Sequence, residues 1–175
     1  MEDAAKRSST LRVFWLWMGC IIALDQITKL LAIAYLKHSL PWIVIPEFFN
    51  LCYVENRGAA WGVLAGSQIF LIMFSLITLS FLFWKRTRLF GSLQGGSFIF
   101  TLLIAGIIGN LIDRIRVGYV IDFLDFYWKQ SHFPAFNIAD SAICVATVIL
   151  IISQWIHDRR NAGSSDAKAS EACSQ

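Results

Sequence analysis

The stretch FNIADSAICVATVILIISQW, residues 136–155, decides the fold. It opens with Asn137 and Asp140, then runs apolar and uncharged as far as His157 and Asp158. About 20 mostly apolar residues are enough for a helix to cross a bilayer. A carboxylate one turn inside such a segment has two readings. Asn137 can cap the helix, with Asp140 three residues on closing a capping box at the positive end of the helix dipole. Alternatively, Asp140 is one of the costly intramembrane charges that mark a functional site. The segment alone leaves both open.

Composition puts the rest of the chain in a membrane. Of 175 residues, 57% are hydrophobic and only 15% charged. Soluble domains carry about 25% charged residues, so this chain has too few to cover a water-facing surface. Seven Trp and four Tyr suit the two interfaces of a bilayer. The net charge of +3 is small and no basic run interleaves with aromatics, so no nucleic-acid partner is expected. Cys20, Cys52, Cys144 and Cys173 are scattered, and His38, His132 and His157 stand alone, each assigned to solvent or interface. Neither a metal site nor a cofactor is expected from these spacings.

Four segments are apolar enough to span: roughly 12–34, 67–84, 97–115 and 137–157. The basic run ahead of the first resembles a signal peptide, but the apolar stretch is too long and lacks a small-residue cleavage site, so it reads as an uncleaved span. With the N-terminus in the cytoplasm, nine Lys and Arg fall on that side and six on the other, which favours four spans with both termini inside. Residues 1–157 then form a single membrane domain. The small, polar segment 158–175 is expected to be a disordered cytoplasmic tail. Of the outer connections, 35–66 reads as a short curved antiparallel piece with a turn near Asn56–Gly58. The other, 116–136, reads as an amphipathic interfacial segment. The fold expected is an all-α membrane protein of four transmembrane helices with a small extracytoplasmic sheet.

This topology brings the unexplained polar residues to one level. Asp25, Gln26 and Lys29 lie in the outer half of the first span, and Asn110, Asp113 and Arg114 close the third. Asp122 follows, Asn137 and Asp140 open the fourth, and Asn56 and Arg57 sit in the outer connection. Asp25 and Lys29, at i and i+4, read as a supporting pair, and Asp113 as structural, either as helix-end charge or through Lys29. Arg114 is either an anchor or a ligand contact. Gly106 and Gly109 let a neighbouring helix approach. Asp125 reads as solvated, and Trp42, Trp61 and Trp128 as interface anchors.

Asp122 and Asp140 are 18 residues apart, and the loop between them can fold back to set the two carboxylates side by side. Two close carboxylates at low dielectric share one proton. The ionised member takes a proton from water, while the protonated member polarises a carbonyl and later protonates a leaving amine. A serine–lysine dyad has only Ser67 or Ser141 near Lys29 to draw on.

The blocks DQITK (25–29), NRGAAWG (56–62), GIIGNLIDR (106–114), VIDF (120–123) and FNIADS (136–141) resemble, in order and spacing, those of bacterial lipoprotein signal peptidase, or signal peptidase II. The resemblance covers about 12–157. It implies an aspartic endopeptidase of the bacterial inner membrane, working without a cofactor. Such an enzyme removes signal peptides from diacylglyceryl-modified prolipoproteins at the extracytoplasmic side. It implies Asp122 and Asp140 as catalytic, Asn56, Asn110, Arg114 and Asn137 as substrate-binding, and Asp25, Lys29 and Asp113 as support. It further implies a β-cradle with a mobile loop or helix over the site. Trp61 stands where Phe is frequent. The expected partners are prolipoprotein and membrane lipid, for a monomeric enzyme. The rival readings are a small proton-coupled transporter or channel subunit, which needs polar residues through the depth of a pathway, and an assembly factor without chemistry.

Overall fold

The computed structural model describes residues 2–59, 64–93 and 95–173, with side chains from 12 to 161 within those limits. In chain order the elements are α1 (Glu2–Leu36), β1 (Trp42–Ile45), β2 (Phe49–Asn56), α2 (Gln68–Phe90), α3 (Gly96–Val117), β3 (Val120–Trp128), β4 (Ser131–His132) and α4 (Ile138–Cys173). Four helical stretches are long and apolar enough to cross a membrane: Arg12–Leu36, Gln68–Phe90, Gly96–Val117 and Ile138–Asn161. They fall on the four spans expected from sequence, with ends shifted by a few residues. α4 continues as helix through the polar segment to Cys173, where composition suggested a tail without structure. The Ala, Lys and Glu residues there are good helix formers. Trp61 lies outside the described residues.

α3 is the central helix. Two-thirds (67%) of its apolar window is buried, against 17% for α1 and α4 and 6% for α2. The outer three therefore turn large apolar side chains outward: Trp15 and Leu16 on α1, Ile69 and Phe74 on α2, Val148 and Ile151 on α4. In water such surfaces would drive aggregation; against acyl chains they cost nothing. One core cluster packs Phe14, Phe90, Phe100, Leu103, Ile104 and Ala146 between the helices. A second joins Ala32 and Leu36 of α1 to Ile121 and Phe123 of β3, seating the sheet on the bundle end.

The sheet is antiparallel in the order β1-β2-β3-β4. Its curvature has two sources, irregularities in register between Ile43 and Ile45 and between Leu51 and Val54, as extra residues in one strand bend it. An antiparallel piece is thus present in 35–66 as β1 and β2, joined by a turn at 46–48, while the turn expected near Asn56–Gly58 follows β2. The segment 116–136, read as an interfacial stretch, instead supplies β3 and β4. Its Val, Ile, Phe and Tyr are good strand formers, and β2 offers a free edge to pair with.

Candidate active site

α3 and α4 cross closely at two glycines. A Cβ on Gly106 would come within 2.5 Å of the Ala139 carbonyl oxygen, and one on Gly109 within 2.6 Å of Asp25 Oδ2. That contact brings Asn110, the next residue on α3, against the first turn of α4. The same turn is tied to α1, because the Ala139 amide donates to Asp25 Oδ1 at 2.9 Å. Lys29 lies beneath, fully buried, with all three ammonium hydrogens committed. They go to Asp25 Oδ2 at 2.9 Å, Asp113 Oδ2 at 2.8 Å and Asn110 Oδ1 at 3.0 Å. Two carboxylates around one buried Lys29 side chain fix the mutual position of α1 and α3. Lys29 is therefore occupied, and Ser141 Oγ donates to its own helix at Asn137 O, so no serine–lysine dyad forms.

The capping box exists. The Asp140 amide donates to Asn137 Oδ1 at 2.9 Å, and the Asn137 amide donates to Asp140 Oδ2 at 3.2 Å. Yet the Asn137 side-chain amide points the other way, donating to Asp122 Oδ1 at 2.7 Å, and it also reaches Asn110 Oδ1 and Ile121 O. One asparagine thus caps the helix and bridges the two carboxylates. The remaining oxygens are held as well: Asn110 Nδ2 donates to Asp140 Oδ1 at 2.7 Å, and Asn56 Nδ2 to Asp122 Oδ2 at 2.9 Å. The strand register explains the last contact, since Asn56 pairs with Val120, which puts it two residues along and on the face of Asp122. The expected turn after Asn56 is present too, with Oδ1 accepting from the Gly58 amide at 3.0 Å.

Asp122 is 1% exposed. Burial, and after it the neighbouring Asp140 carboxylate, push its carboxyl up to about 7, against the pull of hydrogen bonds from Asn56 and Asn137 and of the Lys29 charge. Asp140 is half-buried and lines a cleft of about 500 Å³, together with Asn56, Asn110, Arg114, Phe133 and Phe136. Arg114 donates from Nη2 to the Gly58 carbonyl at 3.3 Å, while its buried Nε has no partner among the described residues. The cleft thus offers an apolar wall, the Asp140 carboxylate and the Arg114 guanidinium, while buried Asp122 is held by the lining residue Asn56. No group of three or more metal-ligating side chains occurs among the described residues.

All nine residues singled out from the sequence meet in this one network. Three features were missed. Gln26 bridges Asp25 Oδ2, the Gly109 carbonyl and Asp113 Oδ1 at 3.1–3.2 Å, a role its i−3 spacing from Lys29 on α1 could have suggested. The wall Phe133–Phe136 gave no signal. Asp125 was misread: it is 8% exposed, and both its oxygens contact His132 Nδ1, at 2.9 and 3.0 Å. The three-residue step from Asp122 lies along a strand, so the two carboxylates leave opposite faces of the sheet.

The family described as signal peptidase (SPase) II matches residues 17–156. A lipoprotein signal peptidase of Syntrophotalea carbinolica is 43% identical over 147 residues, covering 82% of this chain and 91% of the relative. One of Shewanella loihica is 43% identical over 171 residues, covering 93% and 96%. A solved bacterial membrane enzyme, determined by the in meso method at 2.3 Å, superposes with a TM-score of 0.70 at 35% identity, over 85% of this chain and 90% of that one. A second, at 1.9 Å, gives 0.63 at 36% identity over 80% and 90%. With the matched region enclosing every residue of the network, from Asp25 to Asp140, the chain belongs to the signal peptidase II family.

Proposed function

We propose that this multi-pass bacterial membrane protein is an aspartic endopeptidase that removes the signal peptide from diacylglyceryl-modified prolipoproteins. Asp122 and Asp140 are its catalytic pair. The observation that carries the reading is the Asn137 bridge: its side-chain amide donates to the Asp122 carboxylate and its backbone amide to that of Asp140, at the edge of an apolar cleft.

The pair holds one proton, resting with the more deeply buried Asp122. Ionised Asp140, facing the cleft, removes a proton from water as the oxygen attacks the scissile carbonyl carbon. Asp122 donates its hydrogen to the carbonyl oxygen, giving a tetrahedral diol. When the C–N bond breaks, the proton on Asp140 passes to the departing amine of the lipidated cysteine, and a diol proton returns to Asp122. Every proton is accounted for, and the pair ends as it began. Asn110, Asn56 and Asn137 keep both carboxylates aimed throughout, so little reorganisation is left for the transition state. Arg114 holds a backbone carbonyl or the lipid ester through its unspent donors, strengthened by low dielectric. All these groups come from one chain, so a monomer in the lipid suffices.

The sheet end is placed on the extracytoplasmic side of the inner membrane. The basic clusters Lys85, Arg86, Arg88 and Arg159, Arg160 lie at the opposite end of α2 and α4, with both termini in the cytoplasm. Substrate, an apolar helix carrying a diacylglyceryl group, then enters sideways from the bilayer. A transporter or channel subunit would need polar side chains along the whole depth, yet the buried ionisable residues sit at the sheet end and α2 carries no charge in its first 17 residues. The test is to incubate the purified protein in nanodiscs with one prolipoprotein, with and without its diacylglyceryl group. Cleavage of the lipidated form alone is expected; failure to cleave either form would overturn the reading.

A further inference from the structure

Behind the cleft wall lies a second hollow of about 380 Å³, lined by Cys52, Val54, Asp125 and His132 and by the far side of Phe133, Pro134 and Ala135. The same three residues also line the main cleft, so the wall is a thin partition with space on both sides. Its ends are pinned. Phe136 exchanges backbone hydrogen bonds with Leu124 and stacks on Phe126, with ring centroids 5.8 Å apart, and the Phe133 amide donates to Phe126 O at 2.8 Å. Between them, Pro134 has no amide hydrogen to give. At the start of the partition sits His132, stacked on Tyr127 at 4.9 Å and bonded through Nδ1 to the buried Asp125. A carboxylate only accepts, so Nδ1 carries the hydrogen. β4 is just two residues long, Ser131–His132, so this side-chain contact adds to the few backbone hydrogen bonds that hold the start of the partition.

We propose that His132 and Asp125 are positioning residues for substrate: their contact sets the stance of the Phe133–Phe136 wall and hence how tightly the cleft grips the peptide. This rests on the peptidase reading above. Neither side chain touches the catalytic pair, and His132 does not line the main cleft, so bond breaking is unaffected. What changes is the fit of the wall, which substrate and transition state feel alike. Loss of such uniform binding raises KM and spares kcat.

The test measures cleavage of a diacylglyceryl-modified prolipoprotein in nanodiscs at varied substrate fraction, with Tm recorded for each protein. His132→Ala and Asp125→Ala are each expected to raise KM about fivefold with kcat kept. The double variant should be no worse than either single one, because the two act as one contact. His132→Asn, whose amide can replace Nδ1 as donor to Asp125, should recover most of the loss. Unchanged KM in the alanine variants would overturn the proposal, as would a fall of kcat together with Tm, the sign of a merely structural pair. In both cases wild type still cleaves; a wild type that does not cleave would instead remove the peptidase reading itself.

Discussion

Asn137 carries two duties, and a single substitution can part them. Serine is as good an N-cap as asparagine but has no amide to reach Asp122 or Asn110. Asn137→Ser should therefore keep Tm within a few degrees while kcat falls by roughly 10²-fold, the scale of misplacing an acid–base group. Cleavage kept at the wild-type rate would mean that the cap alone matters. Asp122 makes a second prediction, in pH. Its folded carboxyl is raised to about 7, whereas unfolded it ionises near the ordinary ~4. The folded state thus holds a proton that the unfolded state releases between those values. Its stabilising contribution is full below pH ~4 and is lost as pH rises to about 7. Wild-type Tm should fall across that window and Asp122→Asn should flatten the fall, while cleavage declines as pH passes about 7 and the pair loses its shared proton. A cleavage rate that holds level well above 7 would contradict the assignment.

At the scale of elements, the site depends on how closely the helices pack. Gly109→Ala would drive a methyl group into Asp25 Oδ2 and to 3.1 Å from the Ala139 Cβ. A cost of about 1–3 kcal/mol is expected, read as lowered Tm. Lys29→Met would leave Asp25 and Asp113 facing each other without their cation, at a cost of about 3–5 kcal/mol. The four spans were legible because hydropathy is a local signal. So were the glycine contacts, since Gly106, Gly109, Asn110 and Asp113 fall at helical spacing. The sheet was half legible: the aromatic and β-branched run of β2 and the turn after it at Asn56–Gly58 could be read, but the turn at 46–48 that joins β1 to β2 was not, and β3 is a strand only because β2 is there to pair with it. That long-range fact, invisible in a window of residues, is why Asp125 was given to solvent and why the wall after His132 was missed.

For the whole molecule, the surface is arranged for lipid: a polar cluster gathered at one end and basic residues at the other. Orientation can be checked in cells. In a background lacking native cysteines, Ser131→Cys at the β3–β4 turn should react with a membrane-impermeant maleimide from outside, and Ser92→Cys at the α2–α3 turn should not. The reverse labelling would invert the proposed topology. The two carboxylates of the proposed catalytic pair were legible in the sequence as an arrangement at one depth, and the resemblance to a known family suggested their roles; what no spacing could give is the Asn137 bridge between them. The central claim is that this pair does the chemistry. The most direct measurement compares wild type with Asp122→Asn and Asp140→Asn, each shown to be folded by its thermal unfolding, on one diacylglyceryl-modified prolipoprotein. The account predicts that each folded variant cleaves at least ~10³-fold more slowly. Folded variants that cleave like wild type would leave Asp140 a helix cap and nothing more.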